Sequence, residues 1–89
     1  MCTYATERIE VTGSGKVPSG WLPVTTATVY YDHPVHAQAG HTLNIDFLNP
    51  GLGPSARVAV ELTAGSARSL VTAIEAALAA VPPDLLADP

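Results

Sequence analysis

The clearest feature of the chain is an alternation of apolar and polar residues in its middle. Within residues 41–49, the large apolar residues Leu43, Ile45 and Phe47 are separated by polar ones. The same alternation returns in residues 56–63, which read ARVAVELT. Alternation with a period of two is typical of strands that bury one face. Both segments are therefore predicted to be β-strands.

Two earlier segments are predicted to be strands because of their residue types. Residues 3–12 and 22–33 are rich in β-branched and aromatic residues, which favour an extended backbone. Residues 13–20 lie between them and contain three glycines and one proline. Because glycine and proline mark turns and loops, we expect these residues to form the connecting loop.

The pattern changes near the C-terminus, where apolar residues recur every three or four positions. Residues 66–81 are therefore predicted to form an α-helix. Ser66 is the predicted N-cap, and Pro82 and Pro83 are expected to end the helix. The short tail, residues 82–89, is expected to lie on the body of the protein or on a neighbouring subunit. The apolar stripe consists of Ala67, Leu70, Val71, Ile74, Leu78 and Val81, and the opposite face carries Arg68, Thr72 and Glu75.

These elements predict an α+β fold with a single domain over residues 1–89. Sequential strands usually pair, so we expect a four-stranded antiparallel meander with the C-terminal helix packed on one face, in the order β-β-β-β-α. Two hairpin registers would keep the apolar residues on one face of the sheet, which is expected to receive the helix stripe. The predicted pairs are Tyr31–Leu43, Val29–Ile45 and Ala27–Phe47 in one hairpin, and Phe47–Val58, Ile45–Val60 and Leu43–Leu62 in the next.

The opposite face of the predicted sheet is mixed in character. Three interpretations are open for it: a solvated face, a self-association face on which two sheets stack back to back, or a platform for a ligand. Its predicted members are Tyr4, Thr6, Arg8, Thr26, Thr28, Tyr30, Asp32, Asn44, Asp46, Leu48, Arg57, Ala59 and Glu61.

Charge and composition exclude several classes of partner. Four Lys and Arg residues against eight Asp and Glu residues give a formal net charge of −4. There is no basic cluster, so nucleic acid is not an expected partner. No apolar run approaches the roughly 18 residues of a membrane span, and no signal-peptide pattern is present, so we expect a cytoplasmic protein. The single cysteine excludes an internal disulfide.

The small size of the chain favours self-association. A domain of 89 residues buries only about 60% of the surface that its unfolded chain exposes. Fourteen of the residues are alanine, which contributes little volume to a core. We therefore expect a homo-oligomer, either a dimer or a larger assembly. Trp21 is predicted to lie in the core or at a subunit contact, and otherwise to be a stacking surface.

Candidate chemistry is concentrated in three histidines that fall within nine residues. His33, His36 and His41 have the spacing H-x2-H-x4-H, and His33 and His41 are expected to be cross-strand neighbours at the mouth of a hairpin loop. Cross-strand Cβ atoms lie about 5 Å apart, so two imidazoles there could share one ion. Three histidines form one type of catalytic zinc site, and copper, nickel or iron accept the same ligands. We predict a divalent transition-metal site; loop histidines that bind solvent, or that act without a metal, are the alternatives.

Three further residues are candidate ligands. Asp32 and Asp46 could supply a carboxylate ligand or an acceptor that orients a histidine. Cys2 comes near the histidines if the first two strands form an antiparallel hairpin, and its thiol could then act as a ligand or a nucleophile. Strand parity, with Ile9 facing inward, sends Cys2 to the outer face instead, so both placements stay open. No pattern identifies a catalytic or cofactor-binding residue.

Several segments carry a resemblance to known sequences. They are residues 1–4 (MCTY), residues 29–34 (VYYDHP), residues 44–47 (NIDF) and residues 56–62 (ARVAVEL). With these segments the chain resembles, over nearly its whole length, a small family of uncharacterised bacterial proteins found mainly in actinobacteria. The resemblance implies a stand-alone single-domain protein of bacterial source. It transfers no catalytic residue.

Two functions of different class follow. The first is a small oligomeric metal-binding protein with His33, His36 and His41 as ligands. It would be an enzyme if the ion acts as a Lewis acid or activates water. The alternative is a non-enzymatic module that binds a small molecule or another protein, or an accessory subunit in a biosynthetic pathway.

Overall fold

A four-stranded antiparallel sheet followed by a helix forms the body of the protein, which confirms the predicted α+β class. The computed structural model describes residues 5–87. The sheet has the strand order β1-β2-β3-β4, so each strand pairs with its neighbour in sequence. The elements are β1 (Thr6–Val17), β2 (Gly20–Asp32), β3 (Thr42–Leu48), a 3-10 turn (Pro50–Leu52), β4 (Arg57–Leu62), α1 (Ala64–Ala79) and α2 (Pro83–Leu86).

The predicted registers of the last three strands are confirmed. All three pairs of the β2–β3 hairpin and all three pairs of the β3–β4 hairpin occur as expected. These pairs place the large apolar side chains of the three strands on one face, which we call the apolar face. The other face carries Tyr30, Asn44, Asp46, Arg57 and Glu61, and we call it the polar face.

The first hairpin is longer than the sequence indicates. The prediction of a loop over residues 13–20 is wrong, because β1 continues to Val17 and β2 begins at Gly20. The turn has only two residues between the strands, and Gly20 has a φ of 129°, a conformation that glycine adopts without strain. A register shift between Glu10 and Gly13 places an extra residue in β1, which is the pattern of a β-bulge.

The distal end of this hairpin reaches the far edge of the sheet. Gly15 of β1 lies against the side chains of Val24 and Val58, although β1 and β4 are the two edge strands. Strong twist and the bulge bring the edges together. Among residues 5–87, the buried apolar side chains are those of Val24, Ala27 and Ala56.

The helix begins earlier and ends earlier than predicted. Its N-cap is Thr63, whose side-chain oxygen accepts a hydrogen bond from the Ser66 N–H, so the assignment of the cap to Ser66 is wrong. The helix ends at Ala79, before the two prolines, and a short helix follows them within the tail. No helix in residues 5–87 has the length and apolar character needed to cross a membrane.

Candidate functional site

The apolar stripe of α1 is left largely uncovered. The start of the helix lies beside the sheet, where Ala67 and Arg68 approach Tyr31 and Leu43. Beyond this point the helix buries none of its residues. The exposed fractions of its large aliphatic side chains are 42% for Leu70, 57% for Val71, 50% for Ile74 and 53% for Leu78. The expectation that the stripe covers the apolar face is therefore met only by the first turns.

The apolar face of the sheet is correspondingly open. Val29 and Ile45, at its centre, are only half-buried, and Val60 is 37% exposed. Trp21, at the distal end of the first hairpin, is 69% exposed, with the Lys16 ammonium 6.0 Å from its ring centre. Trp21 is therefore not a core residue.

The polar face, in contrast, holds the most buried polar side chains. Thr42 is fully buried, and Asn44 and Asp46 are 6% and 8% exposed. The Thr42 hydroxyl donates a hydrogen bond of 2.6 Å to the Asn44 side-chain oxygen. The loop of residues 33–41, which we call the histidine loop, reaches across this face to β4.

Glu61 of β4 holds the histidine loop in place. Its carboxylate accepts hydrogen bonds from three consecutive backbone N–H groups, those of Val35, His36 and Ala37. The bond from Val35, followed by that from His36, lowers the pKa of Glu61 below its ordinary value, because hydrogen bonds to a carboxylate favour its charged form. The loop is therefore attached to the sheet by one charged side chain.

Asp46 is the centre of a second polar cluster. Its Oδ1 binds Arg57 through Nε at 3.0 Å and Nη2 at 2.8 Å, and its Oδ2 accepts from the Tyr30 hydroxyl at 3.2 Å. Both partners are diagonal neighbours of Asp46 across adjacent strands, a distance that long side chains span. Burial, followed by the charge of Asp46, raises the pKa of Tyr30, so the hydroxyl stays a donor at neutral pH.

Together, the polar face and the histidine loop border an open cavity of about 710 Å³. Its polar lining includes Tyr30, Asn44, Asp46, Arg57 and Glu61, and its apolar lining includes Val35, Ala37 and Ala59. The loop forms one wall and the sheet forms the floor.

The three histidines are only partly brought together. The rings of His33 and His41 stack with centres 4.5 Å apart and planes 29° apart, and His41 also stacks on Tyr31. The His33 Nδ1 lies 3.0 Å from the Gly40 carbonyl oxygen. His36 lines the cavity in the histidine loop. Among residues 5–87, no three His, Cys, Asp or Glu side chains are grouped so as to hold a metal ion.

The other candidate ligands lie apart from a shared centre or outside the described range. The Asp32 carboxylate accepts a hydrogen bond of 2.7 Å from the His33 N–H, and Asp46 is engaged by Tyr30 and Arg57. Cys2 lies outside residues 5–87, so both of its predicted placements stay predictions. The three-histidine metal site also stays a prediction.

Sequence reasoning missed the role of Glu61. The alternation of residues along the strands predicted that Asp46, Arg57 and Glu61 share one face of the sheet. This shared face was the sequence signal for the Asp46 cluster. No pattern links Glu61 to amides 24 to 26 residues away in the chain, because backbone N–H groups carry no sequence signature.

The chain belongs to a family of unknown function (DUF6295), whose model matches residues 1–87. No curated protein and no solved structure matches the chain. The family match agrees with the resemblance found in the sequence, while the bacterial and mainly actinobacterial source stays an expectation.

Proposed function

We propose that this member of the DUF6295 family is a protein-interaction module that forms a homodimer, with α1 of each chain packed on the apolar face of the other. Two uncovered apolar surfaces in one chain carry this conclusion: the stripe of α1 and the open centre of the sheet. Because each chain supplies one helix and one sheet, a single two-fold axis would cover all four surfaces.

The helix needs such a partner. Isolated helices shorter than about 12 to 15 residues are marginal in water even when they are rich in alanine, and most helical stability in proteins comes from packing of the apolar face. Helix α1 has 16 residues and buries none of them within its own chain. An aliphatic stripe of this length is therefore expected to be covered in the functional assembly.

The dimensions of the chain support the same conclusion. Its accessible surface is 6573 Å², whereas a compact monomer of this mass exposes roughly 4,900 Å². Its radius of gyration is 14.7 Å, against about 12 Å for a compact domain of this length. The excess of roughly 1,600 Å² is about twice what each partner buries in a standard protein interface.

The aliphatic composition of both surfaces favours a second copy of this chain as the partner. The helix stripe and the centre of the apolar face both consist of aliphatic side chains, and Glu75 is on the other side of the helix. Their contact would bury mainly aliphatic side chains, which is the usual composition of the core of a homodimer interface. The surface suggested for self-association from sequence was the polar face, whereas the uncovered apolar area lies on the opposite side.

Sedimentation velocity at two protein concentrations tests the proposal, with Ile74→Asp on the stripe and Thr72→Asp on the opposite face as a matched control. Both variants introduce the same charge in the same part of the helix. We expect a dimer for the wild type and for Thr72→Asp, and a monomer for Ile74→Asp. A monomeric wild type, or a dimeric Ile74→Asp, would overturn the proposal.

Mixing two variants tests the reciprocal geometry. Ile74→Asp damages the helix, and Val60→Asp damages the sheet, so each variant alone loses both helix–sheet contacts. In the mixed dimer one contact is intact, because the normal helix of one chain meets the normal sheet of the other. We expect native mass spectrometry to detect a heterodimer in the mixture. Two variants that stay monomeric when mixed would exclude the reciprocal arrangement.

Metal binding by the histidine loop is a second candidate function, favoured by the 4.5 Å separation of the His33 and His41 rings. The contact of His33 Nδ1 with a backbone carbonyl oxygen is also the arrangement that commonly orients a metal-binding histidine. Calorimetric titration of untagged protein with zinc is expected to give one ion per chain, lost in His41→Ala. Lack of binding by the wild type would reject this candidate.

A further inference from the structure

Strand β1 leaves one edge of the sheet open. Within residues 5–87 it pairs on one side only, with β2, and it has 12 residues, about twice the mean length of a strand. Residues 6–10, at its start, are all exposed. Backbone N–H and C=O groups along such an edge form a template on which a further strand can pair.

The first half of β1 has little of the protection that natural sheet edges carry. Such edges are commonly blocked by proline, by lysine or by a bulge. Residues 6–10 contain neither proline nor lysine, and the side chain of Ile9 is 56% exposed. The bulge follows Glu10, and farther along the strand Gly15 lies against Val58 of β4. The part of β1 available for pairing is therefore residues 6–11, which we call the open edge.

Charge restricts how two copies of the open edge can pair. Antiparallel pairing about a two-fold axis brings one residue opposite its own copy, and residues equally far from it on either side face each other. Four residues in the interior of the open edge could be this central residue. Centring on Glu7, Arg8 or Glu10 places like charges directly opposite each other, which is unfavourable. Ile9 is the interior residue that avoids this conflict.

The register centred on Ile9 also makes complementary contacts. It places Arg8 of each copy opposite Glu10 of the other, so the two-fold axis generates two pairs of opposite charge. Both charged residues lie on the polar face, whereas Ile9 lies on the apolar face opposite Ala27 of β2. Contact between the two Ile9 side chains would therefore join the apolar faces of two sheets. Charge and hydrophobicity favour the same register.

We infer that the open edge of β1 is a second self-association surface, on which two copies pair antiparallel about Ile9 with Arg8 and Glu10 in reciprocal ion pairs. It lies at the edge of the sheet and does not depend on the proposed function. About five residues of each chain take part, far fewer than the roughly 20–30 residues on each side of a stable interface. The contact is therefore weak, and it joins dimers reversibly at high protein concentration without changing the oligomeric state in dilute solution.

Disulfide trapping tests the register, because the central residue alone faces its own copy. Ile9→Cys and the control Glu7→Cys are each combined with Cys2→Ser, which removes the single native cysteine. Both positions are exposed and lie on the same face of β1. With glutathione disulfide as the oxidant, we expect Ile9→Cys to form a linked dimer at least about tenfold faster, since the two Glu7 positions lie about four residues apart along the paired strands. Equal rates, or faster linkage of Glu7→Cys, would overturn the inference.

Charge reversal in the Cys2→Ser/Ile9→Cys background tests the ion pairs. Arg8→Glu and Glu10→Arg each bring like charges together, so either variant alone is expected to cross-link about tenfold more slowly. An equal mixture of the two variants restores opposite charges in both pairs. Mass spectrometry of the mixture is therefore expected to detect mainly the mixed dimer. Random proportions of mixed and unmixed dimers would contradict the assigned pairs.

Adding Ile74→Asp to the Cys2→Ser/Ile9→Cys variant separates this surface from the proposed helix–sheet contact. Trapping is expected to persist at an unchanged rate, because the open edge contains no part of α1. Loss of trapping would assign the cross-link to the helix–sheet dimer and would overturn the inference.

Discussion

Gly15 and Val58 lie in contact although their strands form opposite edges of the sheet. A Cβ atom placed on Gly15 would lie 3.0 Å from Cγ2 of Val58 and 3.4 Å from Cγ1 of Val24. Real Cβ atoms rarely approach a neighbour this closely. The contact closes one end of the apolar face, and a side chain at position 15 would have to push Val58 aside.

This contact predicts different effects for two glycines of the same strand. Gly15→Ala is expected to destabilise the protein by about 1–3 kcal/mol, because it overfills a packed contact. Gly13→Ala is the control: its Cβ would be 3.9 Å from Val24, and the loss of unfolded-chain entropy should stabilise it by about 0.5 kcal/mol. Urea denaturation at a fixed protein concentration measures both effects.

A double-mutant cycle tests whether Val58 causes the destabilisation by Gly15→Ala. Val58→Ala removes the methyl group that meets the new Cβ, so the double variant Gly15→Ala/Val58→Ala should cost at least about 0.5 kcal/mol less than the sum of the single variants. Strictly additive effects would show that another neighbour limits position 15.

The hydrogen bonds of Asp46 predict a graded series of stability losses in three variants. Asp46→Ala is expected to cost about 1–3 kcal/mol, because it removes hydrogen bonds to a largely buried charge. Tyr30→Phe removes one of these bonds and should cost about 1 kcal/mol. Asp84→Ala, at an exposed carboxylate of α2, serves as the control and should be nearly neutral. Equal losses in Asp46→Ala and Asp84→Ala would show that the cluster does not contribute to stability.

The strand registers could be predicted from sequence because a register that breaks the alternation would separate the apolar residues. A shift of one residue between β2 and β3 would move every large side chain to the other face. The alternation therefore determined both the pairing and the composition of the polar face. It could not show that a loop would cover that face.

The errors in the first hairpin and the helix have physical causes. Gly13 and Gly15 were interpreted as loop residues, but the absence of a side chain at Gly15 permits the approach of Val58 within a strand. Periodicity in α1 identified which side of the helix is apolar. It could not determine whether that side is buried by its own sheet or by another molecule, since both alternatives require the same residues.

The start of the helix provides a third prediction, at the N-cap that sequence analysis assigned to the wrong residue. Thr63→Ala removes the oxygen that accepts the Ser66 N–H and should cost about 1 kcal/mol of stability. Ser66→Ala is the matched control, since it loses only the hydroxyl that accepts from Thr63 and should cost a few tenths of that. Urea denaturation followed by helical circular dichroism distinguishes them. A larger loss in Ser66→Ala would restore Ser66 as the cap.

The attachment of the histidine loop to Glu61 predicts an acid-sensitive loop. The folded-state pKa of Glu61 lies below its ordinary value. The carboxylate therefore stabilises the loop fully at a pH above the ordinary pKa, and this stabilisation is lost as the pH falls through the lowered pKa. Amide resonances of Val35, His36 and Ala37 should therefore shift together in this acidic range. Glu61→Gln should remove the shift at these amides.

Hydrogen exchange near neutral pH tests the same attachment independently. In Glu61→Gln, a neutral amide that has one acceptor oxygen replaces a carboxylate that binds three N–H groups, so these three amides should exchange at least tenfold faster than in the wild type. Glu75→Gln, which neutralises an exposed carboxylate on α1, should leave their exchange unchanged. Equal exchange in the wild type and Glu61→Gln would mean that the loop is held by other contacts, and the cavity beneath it would then not depend on Glu61.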